Sequence, residues 1–322
     1  MVLWAMVKWI FTHGDGDGIC SGALALAANP DAKIFFTHPF GLLEDLKNAS
    51  AGDVVIVCDI ALSENNVSQI LERFSDLSVS GNLIYIDHHP LPEWLPVESI
   101  PGIVIYDVGA SSSELTYRFF ESELAWPMDR VAIYGAIADY MDDTPIINKL
   151  LGGWDKRAVY FEVGVLVQGL EGHKRDYDFK RSIVSHLSLG LPPSLHQSLL
   201  TSAIESAKRE EEIIRGLKEH IQIYGEVAYT LDFPFPLGKT AIYARALAGT
   251  RIGVAGERRS GLIDMSIRTC EERIDLNRIL RRITLKLGGS GGGHPKAAGA
   301  RIPEENFQKF IKELNEAALS TG

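Results

Sequence analysis

Cysteine is scarce: the 322-residue chain holds three, Cys20, Cys58 and Cys270. Their irregular spacing and apolar neighbours exclude a disulfide framework and a thiolate metal site. They read as buried free thiols in a reducing compartment. Also missing is any uninterrupted apolar run of about 18 residues, the length a spanning helix needs, so no membrane partner is expected. No low-complexity tract and no repeat of solenoid length is present. The opening Met1–Ile10 is apolar but lacks a basic leader and a small-residue cleavage site. It is expected to form the first core strand of a cytoplasmic protein. Positive charge is in deficit, with 32 Lys and Arg against 42 Asp and Glu and a net charge of −10. That balance argues against a protein that coats long nucleic acid non-specifically.

What is present suffices for two cored domains, since domains usually hold about 100–200 residues. The first half alternates short β-branched runs with helical stretches: strands at 8–12, 33–36, 53–58, 83–86 and 103–106, and a helix through Gly22–Ala27. Runs such as Val54-Val55-Ile56-Val57-Cys58 are apolar on both faces, as in a parallel sheet covered by helices. The expected class is α/β, an open and mainly parallel sheet followed by a smaller α/β domain. Residues 145–200 read as mostly helical, and 202–221 as a connecting helix. Strands at 227–231, 252–255 and 262–267 and a closing helix at 307–317 complete the chain. The domains are therefore set at 1–190 and 225–322, with a helical linker over 191–224.

The charge is uneven. Residues 251–301 carry eleven Lys and Arg against five Asp and Glu, a local +6 that leaves −16 elsewhere. Such a split suits metal ions on one part and phosphates on the other, although surface arginines are usually just solvated.

The residues with chemical potential sit where strands end. His13-Gly14-Asp15-Gly16-Asp17-Gly18 follows the first strand, and Asp59 follows the third. Asp87-His88-His89 follows the fourth, and Gly135-Ala136-Ile137-Ala138-Asp139 lies on a later helix. In an open α/β sheet the carboxyl ends of parallel strands face one crevice, so these residues converge. Five carboxylates and three imidazoles repel and raise one another's pKa unless a cation is present. Oxygen and imidazole donors without thiolate point to Mn²⁺, with Mg²⁺ or Co²⁺ compatible, and there are enough donors for two ions. The glycines at 14, 16 and 18 are expected to let the backbone turn tightly beneath them. Each piece alone has a plain reading, an Asp-Gly turn or a structural histidine pair. Their recurrence at equivalent topological places is what outweighs it.

These four elements resemble the motifs of the DHH phosphoesterases, whose name the third supplies. The resemblance implies that Asp15, Asp17, Asp59, His88 and Asp139 bind metal, with Asp59 bridging two ions and His13 assisting the first. It implies that Asp87 orients the histidines and that His89 lies against the phosphate, making His89 and Asp59 the catalytic pair. Where the family often has Thr after the fourth-motif Asp, this chain has Tyr140.

Gly288-Gly289-Ser290-Gly291-Gly292-Gly293-His294-Pro295-Lys296-Ala297-Ala298-Gly299 is the second strong signal. Structured sequence follows at once, so a flexible linker is not expected. Glycines there let backbone N–H groups approach a phosphate, with His294 and Lys296 as further donors. The element resembles the glycine-histidine motif of the DHH-associated C-terminal domain. That resemblance implies substrate binding by Arg268, Gly291, Gly292, Gly293, His294 and Lys296, with the active site in the cleft between the domains. Ser111 and Glu114 read as a capping box at a helix start. Similar serines in the family lie near the active site, which adds Ser112 to the substrate residues.

The resulting expectation is a Mn²⁺-dependent, two-metal phosphodiesterase of RecJ-like or nanoRNase type. It would release nucleoside 5′-monophosphates from single-stranded RNA or DNA, in the 3′–5′ direction and from short oligonucleotides. A phosphoesterase for cyclic dinucleotides or 3′,5′-bisphosphate nucleotides is the alternative. A pyrophosphatase would lack the glycine-histidine element, and an inactive scaffold would have lost carboxylates. A homodimer is compatible with the sequence.

Overall fold

The computed structural model describes residues 6–79 and 82–320. The apolar start was expected to be strand; its first five residues lie outside the described residues, and strand β1 spans Lys8–Thr12. The chain forms two compact units that divide between Ala207 and Lys208.

The first unit runs β1, α1 (Gly16–Ala28), β2 (Lys33–Phe36), α2 (Leu42–Asp45), β3 (Val54–Cys58), α3 (Val67–Ser78), β4 (Leu83–Asp87) and β5 (Ile103–Tyr106). Helices α4 (Ser112–Phe120), α5 (Asp129–Ala138), α6 (Pro145–Leu151), α7 (Lys156–Leu170) and α8 (Tyr177–Ser188) follow. The five strands form one sheet in the order β2-β1-β3-β4-β5, every neighbouring pair parallel. Alternation along each strand divides its side chains between two layers. Phe11, Val55, Val57, Leu83 and Tyr85 pack with Ile70 and Phe74 of α3. Ile10, Ile56, Cys58 and Ile86 pack instead with Ala25 of α1 and Leu115 of α4. Burial on both sides explains why these strands lack the polar alternation of a half-exposed sheet.

The strand order reverses between β1 and β3, the point at which open α/β sheets bind ligands. Register aligns the strand ends, pairing Thr12 with Cys58 and Cys58 with Ile86. His13, Asp59 and Asp87 therefore leave the sheet side by side, although 46 and 28 residues separate them in sequence.

Helix α9 (Gln197–Leu217) crosses the division between the units; it starts and ends earlier than the stretch 202–221 indicated. The second unit contains β6 (Gln222–Tyr224), β7 (Val227–Leu231), α10 (Leu237–Ala248), β8 (Ile252–Arg259) and β9 (Leu262–Thr269). It continues with α11 (Leu276–Lys286), β10 (Ser290–Gly293), β11 (Ala297–Pro303) and α12 (Phe307–Ser320). Its six-stranded sheet has the order β10-β11-β9-β8-β7-β6. Only β7 and β8 pair in parallel, with α10 as the crossover between them. The β8–β9 hairpin turns at Ser260 and Gly261, both at positive φ (50° and 79°), the geometry that suits strand twist in two-residue turns. A separate core gathers Val254, Ile267, Leu280 and Phe310.

The glycine run is ordered, as a non-linker reading requires: Ser290–Gly293 is an edge strand whose Gly291 and Gly292 pair with Ala300 and Gly299. A side chain on Gly291 would stand 2.9 Å from Thr284 Cγ2 of α11, so bare backbone is what lets this strand lie on that helix. Cys20 and Cys58 are buried as expected, but Cys270 is exposed, because it falls just beyond the buried end of β9. No helix among the described residues is long and apolar enough to cross a membrane.

Candidate metal centre

The loop after β1 is pinned before it reaches the charged residues. Thr12 Oγ1 donates to the Gly18 carbonyl at 2.5 Å, and Asp15 caps α1 by accepting the Gly18 N–H at 3.0 Å. None of Gly14, Gly16 and Gly18 has a positive φ, so their role in the tight loop is not left-handed backbone. They allow close approach instead: a Cβ on Gly18 would lie 2.5 Å from the His13 carbonyl oxygen.

Asp17, in the first turn of α1, is buried and gripped from across the unit. Its Oδ2 accepts the Ser112 N–H at 2.8 Å and its Oδ1 the Ser113 N–H at 3.0 Å. The N-terminus of α4 thus holds this carboxylate with unsatisfied donors and a favourable dipole. Ser112 is fully buried, so the helix end that suggested a phosphate contact is occupied by Asp17. Ser111 caps α4 as expected, accepting from Glu114 N–H. The Glu114 carboxylate does not return to close the box; its Oε2 accepts from Thr144 Oγ1 at 2.7 Å. Gly135 of α5 makes room, because a Cβ there would lie 2.3 Å from Ser113 Oγ and 2.8 Å from Asp17 Oδ1.

Asp59 leaves β3 with φ at +59°, a left-handed conformation that Asp tolerates better than most residues. Asp87, at the end of β4, has no exposure. Its Oδ1 lies 2.9 Å from His89 Nδ1 and its Oδ2 accepts from the Tyr85 hydroxyl at 2.8 Å. Asp139 is the C-cap of α5. Beyond it Tyr140, with φ at +58°, donates its N–H to Ile137 O, and Met141 donates to Ala136 O. This is a Schellman ending with tyrosine where glycine is usual. It directs Asp139 to the strand ends and sets Met141 Sδ 3.2 Å from His88 Nδ1.

Among the groups of three donors at these strand ends, which include Asp59, Asp87 and His89, two have the composition expected for the ions. One ligand atom each from His13, Asp15 and Asp59 lie within 4.8 Å of one another, and likewise from Asp17, His88 and Asp139. Asp59 faces both sets, with Oδ2 4.0 Å from His13 Nδ1 and Oδ1 3.4 Å from His88 Nε2. His88 Nε2 also lies 3.6 Å from Asp139 Oδ2. Two buried oxygens, Asp59 Oδ2 and Asp139 Oδ2, accept no hydrogen bond. Buried carboxylate oxygens without donors are costly unless a cation takes that place, so the donor set fits a divalent ion at each cluster.

Electrostatics lead to the same arrangement. Burial, and then the charges of Asp17 and Asp15, push the Asp139 pKa up to about 8. Burial and four neighbouring carboxylates raise Asp59 well above its ordinary range, and burial raises Asp17. Against the desolvation of its position, His13 and the Gly18 N–H hold Asp15 below the usual range. Asp87 is held low too, against burial, by His89 and Tyr85. His89 runs the other way: burial opposes its charge, but Asp87, Asp15 and Asp139 lift its pKa to about 9. At neutral pH it is an imidazolium beside the cluster.

In the second unit, Arg268 lies on β9 opposite Ala297. Its Nη1 donates to Ile267 O at 2.9 Å and to Ala298 O at 3.4 Å. Residues 294–297 close the β10–β11 hairpin, with the His294 N–H donating to Ala297 O. The Gly293 N–H is taken by Asn277 Oδ1 at 3.1 Å, and Lys296 Nζ pairs with Glu272 at 2.5 Å. The fold therefore brings Arg268 and this hairpin to one end of one sheet.

Sequence reasoning missed the residues that hold the candidate ligands in place. Tyr85 was detectable, since two residues before Asp87 on a strand means the same face. The α4 N–H pair and Met141 carried no local signal.

The DHHA1 domain family matches residues 238–319. Oligoribonuclease NrnB of Bacillus subtilis (strain 168) is 24% identical over 331 residues, covering 94% of this chain and 75% of that protein. RecJ from Thermus thermophilus, solved in complex with Mn²⁺, is similar in fold with a TM-score of 0.67 at 18% identity. That match covers 97% of this chain and 52% of RecJ. The pGpG-specific phosphodiesterase PggH from Vibrio cholerae gives a TM-score of 0.60 at 14% identity, covering 98% of this chain and 100% of PggH. A parallel sheet with two donor clusters at its strand ends precedes residues 238–319, which match the DHHA1 domain family, and the chain as a whole is similar in fold to RecJ and PggH.

Proposed function

We propose that the protein is a two-metal phosphodiesterase that removes nucleoside 5′-monophosphates from short single-stranded oligonucleotides, working 3′ to 5′ with Mn²⁺. The observation that carries this reading is the pair of three-donor clusters facing one shared carboxylate, with two buried carboxylate oxygens lacking donors. His13, Asp15 and Asp59 would hold one ion and Asp17, His88 and Asp139 the other. Such ions, when bound, supply a water of lowered pKa and charge to offset that on the phosphoryl oxygens.

The chain's own side chains do the rest. His89, charged at neutral pH, is oriented by Asp87 and offers a proton and a positive charge to a phosphate oxygen. Tyr85 steadies Asp87 from the far side. The N–H pair of α4 keeps Asp17 from swinging, and Met141 backs His88. In the second unit, Arg268, the Gly291–Gly293 backbone, His294 and Lys296 would grip the nucleotide end, where a planar guanidinium matches phosphate geometry. The nuclease and diesterase names of NrnB, RecJ and PggH favour this substrate class.

Digestion of end-labelled RNA and DNA ladders and of dinucleotides with Mn²⁺ tests the reading. It is supported by mononucleotide release from short chains, lost in Asp59→Asn at every Mn²⁺ concentration. That substitution is chosen because Asn, like Asp, accepts left-handed backbone. Failure to cleave any of these substrates with Mn²⁺, Mg²⁺ or Co²⁺ would overturn it.

A further inference from the structure

Beside the first donor cluster is a cavity of about 240 Å³ within the first unit. Asp15 belongs both to its wall and to the His13, Asp15, Asp59 cluster, so a group in the cavity stands next to whatever that cluster binds. The floor is the bare backbone of Gly14 and Gly16. Ala138, Val167 and Leu170 line it with apolar surface, and Lys174, Lys180 and Glu171 supply its other charged groups.

Lys180 is the unusual member. It sits on α8 with 5% of its surface exposed. Its Nζ donates to the Lys174 carbonyl at 3.0 Å and would lie 2.6 Å from a Cβ placed on Gly14. A cation is thus fixed by packing against the loop that carries Asp15, and its ammonium has three donors of which this carbonyl takes one. Fixing it in advance lowers the ordering cost of any anion it meets. With Asp15 committed to a divalent ion, the charges left lining the cavity are two ammonium groups and one carboxylate.

Apolar lining together with paired cations matches one end of a nucleotide chain, with a flat base and a terminal phosphate. The volume is below the roughly 300–1,000 Å³ of sites for drug-sized ligands, so it takes an end of the substrate rather than the whole. We propose that this cavity is the subsite for the 5′-terminal nucleotide, in which Lys174 and Lys180 bind a 5′-phosphate. The enzyme then selects short oligonucleotides by that phosphate. This rests on the phosphodiesterase reading above.

The test is the ratio of kcat/KM for pApA over ApA with Mn²⁺. A ratio is read because Lys180 abuts the metal loop and its loss moves both rates together. A charge-assisted contact favours pApA by about ten-fold or more in the unaltered protein. Lys174→Ala, Lys180→Met and the cavity-filling Val167→Phe each bring the ratio towards one. Lys174 is exposed, so its variant stays informative if Lys180→Met does not fold. An unaltered protein with a ratio near one, or variants that keep the original ratio, overturns the subsite alone. Cleavage of neither dinucleotide by Mn²⁺-loaded protein overturns the phosphodiesterase reading and the subsite with it.

Discussion

Replacing Asp139 by Asn should make the metal-free protein more stable while destroying its response to metal. The carboxyl has a folded-state pKa of about 8 against an ordinary value of 3.8. A raised pKa means that ionisation costs nothing below the lower value and progressively more as pH climbs towards the upper one. At pH 7.5 the cost is roughly 5 kcal/mol for an isolated group, at about 1.4 kcal/mol per pH unit. Part of that cost comes from the charge of Asp17 beside it and is common to the cluster, leaving about 2.5 kcal/mol to the substitution. Asn has nearly the same shape and no such cost. For a unit of this size, 1 kcal/mol moves Tm by roughly 2–4 °C, so the substitution should raise the metal-free Tm by about 5–10 °C. The gain should be larger at pH 8 than at pH 6. Thermal unfolding in chelator and then in saturating Mn²⁺ provides the assay, and Mn²⁺ should lift the unaltered protein above the variant by mass action. A metal-free variant that melts below the unaltered protein, or equal Mn²⁺ shifts in both, would refute the electrostatic account of the cluster.

Two further outcomes follow from the same geometry. Against its burial, Asp87 favours the charged form of His89, so turnover should fall as pH rises past the point at which His89 loses its proton. His89→Gln should lower kcat by about 10²–10³-fold and remove that limb of the profile. Gly135→Ala forces a Cβ to within 2.3 Å of Ser113 Oγ; calorimetry should show a loss of about 1–3 kcal/mol, with weaker Mn²⁺ binding because Asp17 lies behind the same contact.

The first sheet was legible because β3 and β4 are apolar on both faces, and only a strand covered on both sides reads that way. Most of the candidate metal residues were legible because they stand at or just after strand ends, with Asp139 at the end of α5 as the exception. What the chain does not spell out is contact at long range. Asp17 and Ser112 are 95 residues apart, and nothing near either forecasts that a helix end would hold a carboxylate. Strand β10 was hidden for a different reason: glycine has little strand propensity, and pairing with β11 under α11 overrides it. The basic excess of residues 251–301 does not by itself mark a phosphate site. Arg258 pairs with Asp232 and Glu304, Arg259 with Glu257, and Arg301 with Asp264, so much of that charge is answered locally on the surface.

The grip of α4 on Asp17 bears on which cations can enter. A carboxylate tied through both oxygens cannot rotate to widen its bite. Calcium needs six to eight oxygens at about 2.3–2.6 Å and a yielding cage, whereas magnesium sits at about 2.0–2.1 Å. Were an ion held at Asp17, a carboxylate fixed in this way would favour the smaller cation, and the preference would originate in backbone amides rather than in the donors themselves.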